Sequence, residues 1–229
     1  MSKRNLGSKI KLSSYDDMFG VNVAENENVN VENQIKDVAL SELHPFKNHP
    51  FKVIDDEKME EMVESVKQYG ILVPAIVRER AEGGYELISG HRRHHAAALA
   101  GLEEMPVIVK NCDDDESTVI MVDANIQRED ISVSEKAKAY RMKYDAMKHQ
   151  GASGGISLAE MSESAGESRK TIQRLIYLSN LTEELLELID NKKIGIAQGV
   201  DLAFIPKEEQ NVVFRVMQKA GVYINMEQS

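Results

Sequence analysis

The chain has 229 residues, 42% of them hydrophobic and 5% aromatic with no tryptophan, which supports a real core and favours aliphatic, mostly helical packing over a β-sandwich. A formal charge of −10 argues against a protein that coats nucleic acid without sequence preference, yet it leaves a local basic face open, because the field depends on where charges sit. The lone Cys112 excludes an internal disulfide and a cysteine-based metal cluster, and no apolar run has the length of a membrane span or the place of a secretory signal, so the expectation is a cytoplasmic protein with no membrane attachment.

Residues 1–37 read as a flexible basic and polar tail. Lys3, Arg4, Lys9 and Lys11 precede any acid, and VNVAENENVNVENQ has no helical period. From Val38 the pattern turns globular. Met59, Met62, Val63, Val66 and Tyr69 recur at helical spacing over 55–69, with Asp55 and Asp56 as N-cap candidates and Gly70 as the stop. Ile71 to Val77 reads as a strand interrupted by Pro74. Gly83 and Gly84 turn the chain into a strand over 85–89, and a helix follows from His91 to Ala100, closed by Gly101. A further strand covers 105–109, and the alternation makes a small α/β domain.

Within YELISGHRRHHAAALAG, a strand meets a helix at Gly90, which lets the backbone turn sharply. Unpaired N–H groups at a helix start favour an anion, and Arg92 and Arg93 add donors that keep their charge. That combination suits a polyphosphate. His91, His94 and His95 cluster here too, but no acid within the same turn completes a ligand set and the arginines repel a cation, so no metal site is expected. His44 and His49 belong to a Pro-bent edge segment.

The acidic loop 113–116 leads to a helix over 117–126, and a longer helix over 134–150 takes Ser134 as its cap. Everything beyond Ile156 reads as helical. Ser157 and Glu160 have capping-box spacing ahead of a short helix to Ala165. Gly166 and Glu167 turn the chain, and a helix over 168–178 faces Ile172, Leu175 and Ile176 inward. A last helix spans 208–220. Bases outnumber acids from Ser132 to Leu181, against the acidic run before it. A short helix, a glycine turn and a second helix make the spacing of a helix-turn-helix, with Ser162 and Ala165 small enough for the crossing. The second helix offers Ser168, Arg169, Lys170, Gln173 and Arg174: Arg can read guanine, Gln can read adenine, and Ser or Lys can hold phosphate. Two helices of an ordinary bundle with a basic surface fit the spacing equally.

The segment GESRKTIQRLIYLSNLTEELLELIDNKKIGIAQGVDLA resembles the central domain of ParB-type partition proteins, where a Gly-x-Ser-Arg turn opens the recognition helix. YGILVPAIVR is similar to the family's strand entry, ISGHRRHHAA to its glycine–arginine–arginine box, and ANIQRED to a third box ending in Asn-x-x-Arg. The motifs keep family order across most of 38–203. The resemblance implies an α/β ParB/sulfiredoxin-like nucleotide-binding domain over 38–130, followed by an all-α helix-turn-helix DNA-binding domain over 131–229. It implies a homodimer that binds a specific site on double-stranded DNA, takes CTP with Mg²⁺ as a clamp switch, and works with a ParA-type ATPase in plasmid, mobile-element or chromosome partition. Carried over by position, Gly90, Arg92 and Arg93 hold the triphosphate, Asn125 and Arg128 complete the pocket, and backbone near 70–76 reads the cytosine.

Three positions depart from the family. His91 stands where Glu is usual, Val73 where Gln is common, and Ala124 where Glu directly precedes the Asn of the third box. Asp123 is adjacent but rotated away on a helix. The expectation is nucleotide binding with at most weak hydrolysis and no catalytic residue. Family members typically continue into a dimerisation domain, whereas this chain stops at Ser229, so dimerisation is expected to use the first two domains or to lack part of the usual architecture. Two alternatives remain: a ParB-like transcriptional repressor without nucleotide switching, and a nucleotide-dependent enzyme on the same N-terminal fold. Sulfiredoxin chemistry needs a cysteine beside the phosphate loop, and Cys112 lies beyond the next strand. A kinase of this fold leaves the helix-turn-helix unexplained.

Overall fold

Strand pairing organises the first half of the chain in the computed structural model, which describes residues 34–128, 130–151 and 154–223. The tail lysines and Arg4 lie outside these residues. Five strands, β1 (Ile35–Ala39), β2 (Leu43–His44), β3 (Ala75–Glu79), β4 (Tyr85–Ser89) and β5 (Glu104–Val109), form one sheet in the order β1-β5-β3-β4-β2. β3 and β4 make an antiparallel hairpin, β3 runs parallel to β5 with Ala75 opposite Val107, and β1 closes one edge antiparallel to β5. Residues 35–37, which the sequence pattern places in the tail, are therefore strand. The strand expected from Ile71 begins only after Pro74, whose ring has no N–H to give to a ladder.

Helices α1 (Glu57–Tyr69) and α2 (His91–Ala100) pack on each other through Met59, Val63, Val66 and Ala96. Asp56 caps α1, its carboxylate accepting the Met59 N–H at 2.9 Å. Val38, Leu43, Ala75, Val77, Leu87, Met105 and Val107 form the core of the sheet. Helix α3 (Asp114–Ile126) starts earlier than expected. Its cap is a box made by Asp113 and Glu116, so the acidic run is the first turn, where carboxylates suit the positive end of the dipole.

The second half is helical: α4 (Val133–His149), α5 (Gly154–Ala165), α6 (Arg169–Leu178), α7 (Glu183–Asp190), α8 (Ile196–Leu202) and α9 (Lys207–Ala220). Ser132, not Ser134, caps α4 in a box with Glu135. Ser134 is drawn instead to Asp190, its N–H at 2.9 Å from Oδ1 and its Oγ at 2.5 Å from Oδ2. Helix α5 begins before Ser157, so the capping-box spacing there does not mark its start. Gly199 lets α8 approach closely: a Cβ there would sit 2.6 Å from Ile189 Cδ1 and 2.9 Å from Leu178 Cδ2. Buried Gln210 ties α9 down by accepting the Thr182 N–H and donating to the Asn180 and Ile205 carbonyls. One continuous core joins the halves, with Phe46, Phe51 and Ile88 packed among Met121, Tyr140, Ile172 and Leu185. The fold is thus an α/β domain followed by an all-helical one, and no described helix is long and apolar enough to cross a membrane.

Candidate nucleotide and DNA sites

The turn from β4 to α2 is built on one glycine. Gly90 has φ 104° and ψ 18°, and a Cβ on it would lie 2.9 Å from Ala75 Cβ and 3.2 Å from Ala75 Cα. Only glycine combines that dihedral with that approach to β3. The helix that follows presents N–H groups without intrahelical partners to whatever faces its start.

The two arginines behind Gly90 diverge. Arg92 is largely buried, and its Nη2 donates to Asp56 Oδ1 at 3.0 Å, at the start of α1. Arg93 reaches the other way and donates to the carbonyls of Val73 and, at 2.7 Å, Pro74, fixing the loop that enters β3. Arg128 and Arg92 both act on Asp130. Arg128 Nε is 3.6 Å from Asp130 Oδ1, and the Asp130 carboxyl is held below the usual range by its own backbone N–H and then by the charges of Arg128, Lys58 and Arg92. The structure therefore gathers Arg92 and Arg128 around Asp130 and keeps Arg93 at the turn itself, its Nη2 3.3 Å from where a Cβ on Gly90 would lie. Asn125 is folded back on its own helix, its Nδ2 donating to Met121 O at 2.8 Å, which leaves its carbonyl oxygen for any further contact.

His91 stands where the family's box carries a carboxylate. Its Nε2 accepts the Phe46 N–H at 3.3 Å, and its ring lies 3.8 Å from that of His49. Burial, followed by the charges of His49 and His94, pushes its pKa down to about 3, so it is a neutral acceptor. A glutamate could accept the same N–H but would set a negative charge beside the arginines. His94 and His95 face other partners: His94 Nε2 is 3.5 Å from Leu40 O, and His95 Nε2 is 2.7 Å from Asp55 Oδ1. On α3, Ala124 is exposed, while Asp123 turns to the buried Lys143.

The helix-turn-helix spans α5, the turn at Gly166 (φ 67°) and α6. Ser162 Oγ donates to Glu167 O at 2.7 Å, and Lys136 Nζ pairs with the Glu167 carboxylate at 3.0 Å, so the turn is tied to both α5 and α4. Ser168 caps α6: its Oγ accepts the Thr171 N–H at 3.1 Å and lies 2.9 Å from Thr171 Oγ1. Its hydroxyl thus serves the helix start first. Ile172, Leu175 and Ile176 are buried, and Arg169, Lys170, Gln173 and Arg174 are exposed. Among the described residues, neither arginine of this face nor Lys170 has an ion-pair partner.

Two residues of the same face escape the sequence reading. Thr171 is exposed between Lys170 and Gln173, and Tyr177 accepts a hydrogen bond from Gln173 Nε2 at 3.2 Å while its ring rests 5.0 Å from that of Phe204. The helical stripe 170, 173, 174, 177 carries the signal for Tyr177.

The ParB N-terminal domain matches residues 24–126, and the ParB HTH domain matches residues 129–227. The probable chromosome-partitioning protein ParB of Vibrio cholerae is 30% identical over 81% of this chain and 61% of its own length. A nucleoid occlusion protein of Listeria monocytogenes is 29% identical over 78% of this chain and 60% of its own. The chain thus spans about 60% of the length of these relatives. The C-terminally truncated ParB of Caulobacter crescentus, solved in complex with the centromeric parS site, shares the fold with a TM-score of 0.51, at 22% identity over 82% of this chain and 93% of that one.

Proposed function

The chain belongs to the ParB family, and from that premise we propose that it is a sequence-specific DNA-binding partition protein whose first domain takes CTP with Mg²⁺ as a clamp switch. The carrying observation is the face of α6. On a chain of formal charge −10, Arg169, Lys170 and Arg174 stand exposed and, among the described residues, without ion pairs at the start of the second helix of a helix-turn-helix. An acidic protein that leaves cations uncompensated in one place has a use for them there, and phosphate-lined DNA is the partner that matches. The start of α6 enters the major groove, Arg169 and Arg174 reach guanine edges or phosphates, Gln173 reads adenine, and Lys170 holds the backbone.

The residues at Gly90 fit a triphosphate. A turn that only glycine can make opens α2, the N–H groups of its first turn have no intrahelical partners, and Arg92 with Arg128 supply fixed positive charge. Bound nucleotide would supply concentrated negative charge and acceptor oxygens, with Mg²⁺ offsetting part of that charge. Arg93 holds the 73–74 loop, part of the stretch 70–76 to which the family resemblance gives reading of the base, and so acts on nucleotide through that loop. Burial pushes the Cys112 thiol up, away from the thiolate that sulfiredoxin-type chemistry needs, which supports binding over that enzyme reading. The protein works as a homodimer on nucleoid or plasmid DNA in the cytoplasm, with a ParA-type ATPase engaged by the basic tail.

The test is capture of genomic fragments on the purified protein, followed by sequencing, with and without CTP and Mg²⁺. A few discrete peaks that vanish in the Arg169→Ala, Lys170→Ala double variant are expected. A flat profile for the unaltered protein would sink the reading, and peaks confined to promoters would redirect it to a repressor.

A further inference from the structure

We infer that Asp56 is an internal competitor of the nucleotide: its carboxylate occupies the guanidinium of Arg92 and sets a charge threshold that incoming phosphates must exceed. The inference rests on the nucleotide reading above and concerns a residue that none of the sequence motifs contains.

One oxygen does two jobs. Asp56 Oδ1 accepts the Met59 N–H at 2.9 Å, which caps α1, and accepts from Arg92 Nη2 at 3.0 Å. The Arg92 side chain is 17% exposed, so few routes remain for an anion to reach its fork. A second carboxylate flanks neighbouring cations. Asp130 Oδ1 lies 3.6 Å from Arg128 Nε and its Oδ2 lies 3.7 Å from Lys58 Nζ. The two acids come from separate segments, the start of α1 and the link between the halves of the molecule, and converge on the arginines placed to hold phosphate.

A phosphate that approaches Arg92 meets a fixed negative charge at the guanidinium. It must displace Asp56 or share the fork with it, and either course lowers affinity, because like charges in a partly desolvated site repel more than in water. The segment that Asp56 ends is also joined to the helical half. Phe51 is buried in the shared core, and the Lys52 N–H donates to Glu135 Oε1 at 2.7 Å, on the residue that completes the cap of α4. Asp56 therefore stands where contest for Arg92 meets the segment that touches the DNA-binding half.

Asp and Asn cap helices equally well, so Asp56→Asn keeps the α1 cap and removes the charge together with its ion pair to Arg92. The experiment is a calorimetric titration of the full chain with CTP and Mg²⁺, alongside thermal unfolding of each protein without nucleotide. Asp56→Asn is expected to bind CTP about five-fold more tightly, the scale of one partly exposed ion pair, while still unfolding cooperatively at a modestly lower temperature because the pair with Arg92 is lost. Arg92→Ala is expected to lose binding. Equal or weaker binding by a folded Asp56→Asn, with Arg92→Ala still inactive, overturns the competitor role and leaves the nucleotide site standing. Undiminished binding by Arg92→Ala overturns both. Should Asp56→Asn fail to fold, Asp130→Asn, which caps no helix, decides instead: tighter CTP binding supports charge competition at these arginines, and unchanged binding removes it.

Discussion

Lys143 on α4 reaches Asp123 on α3, Nζ 2.5 Å from Oδ1, and the two partners differ sharply in burial: their side chains are 5% and 42% exposed. Lys143 Nζ also meets Ser164 Oγ at 3.1 Å, so one buried ammonium joins the helix of the third box to the first helix of the helix-turn-helix. The difference in burial predicts an order of effects. Asp123→Asn strands a buried cation and should cost about 3 kcal/mol, whereas Lys143→Met leaves a carboxylate that water can reach and should cost about 1 kcal/mol. Urea unfolding of both variants checks this. Equal costs, or the reverse order, would show that Lys143 is hydrated from a route other than Asp123.

Removing Arg169 and Lys170 together should weaken specific DNA binding while leaving the fold intact, because both side chains are exposed and have no ion pair among the described residues. Loss of one bidentate base contact costs about 1–3 kcal/mol, and each lost phosphate contact lowers the salt slope by about one. Fluorescence anisotropy at several salt concentrations separates the two contributions. Unchanged affinity at every salt would mean that α6 is not the reader.

Stability should fall on acidification between pH 7 and 5. His91 has a folded pKa of about 3 against an ordinary value of 6.5, so between those limits the unfolded chain binds a proton that the folded chain refuses. Its contribution is complete above the ordinary value and is lost as pH drops, at up to about 1.4 kcal/mol per pH unit. Burial shifts His49 and His94 in the same direction, adding to the slope. The lowered Asp56 and Asp130 stay ionised throughout this window and lose their share only below it. His91→Gln keeps an acceptor for the Phe46 N–H and should flatten the dependence. Denaturant midpoints at the two pH values decide it: an equally steep loss in the variant removes His91 from the account.

Gly90→Ala should damage both fold and nucleotide binding. The added methyl meets Ala75 Cβ at 2.9 Å, and a φ of 104° is hostile to alanine. The strain is about 1–3 kcal/mol, released by moving the turn that carries the α2 N–H groups. Ala75→Gly in the same chain removes the 2.9 Å contact but neither the 3.2 Å approach to the Cα of residue 75 nor the dihedral penalty, so it should restore only part of the stability. Full CTP affinity in the single variant would separate the Gly90 turn from the phosphates.

The stretch from Tyr85 to Gly101 was legible because its signals are local: a β run, a glycine that must turn, an alanine-rich helix and a closing glycine. The starts of α3 and α4 were not. Acids at 113–116 resemble a loop until the helix dipole is counted, and the choice between Ser132 and Ser134 as cap is made by Asp190, 56 residues away from Ser134. Strand β1 escaped because three of its five residues are exposed and its partner lies in β5. At the candidate site, Gly90 and Arg92 followed from local chemistry, and Arg128 from resemblance alone. The pairing of Arg92 with Asp56 spans 36 residues and carries no sequence signal, and the hydrogen bond that turns Asn125 back onto Met121 is a packing outcome.

Nucleotide turnover should be slow or absent. Ala124 occupies the place where the resembling third box carries glutamate, and a methyl group can neither orient water nor hold a metal ion. The adjacent Asp123 does not substitute, because its Oδ1 is held by Lys143 at 2.5 Å across a different face of α3. Binding survives this loss, since Arg92 and Arg128 need no carboxylate at 124. A nucleotide-closed state would then persist until the nucleotide dissociates, which lengthens residence on DNA rather than shortening it. Ala124→Glu adds a carboxylate at an exposed helical position, where the fold accepts it with little cost. Phosphate release with CTP, Mg²⁺ and specific DNA should be near background for the unaltered chain and rise in the variant. Brisk release by the unaltered chain would show that another group activates the water, and a variant that binds CTP without any gain would show that position 124 does not face the phosphates.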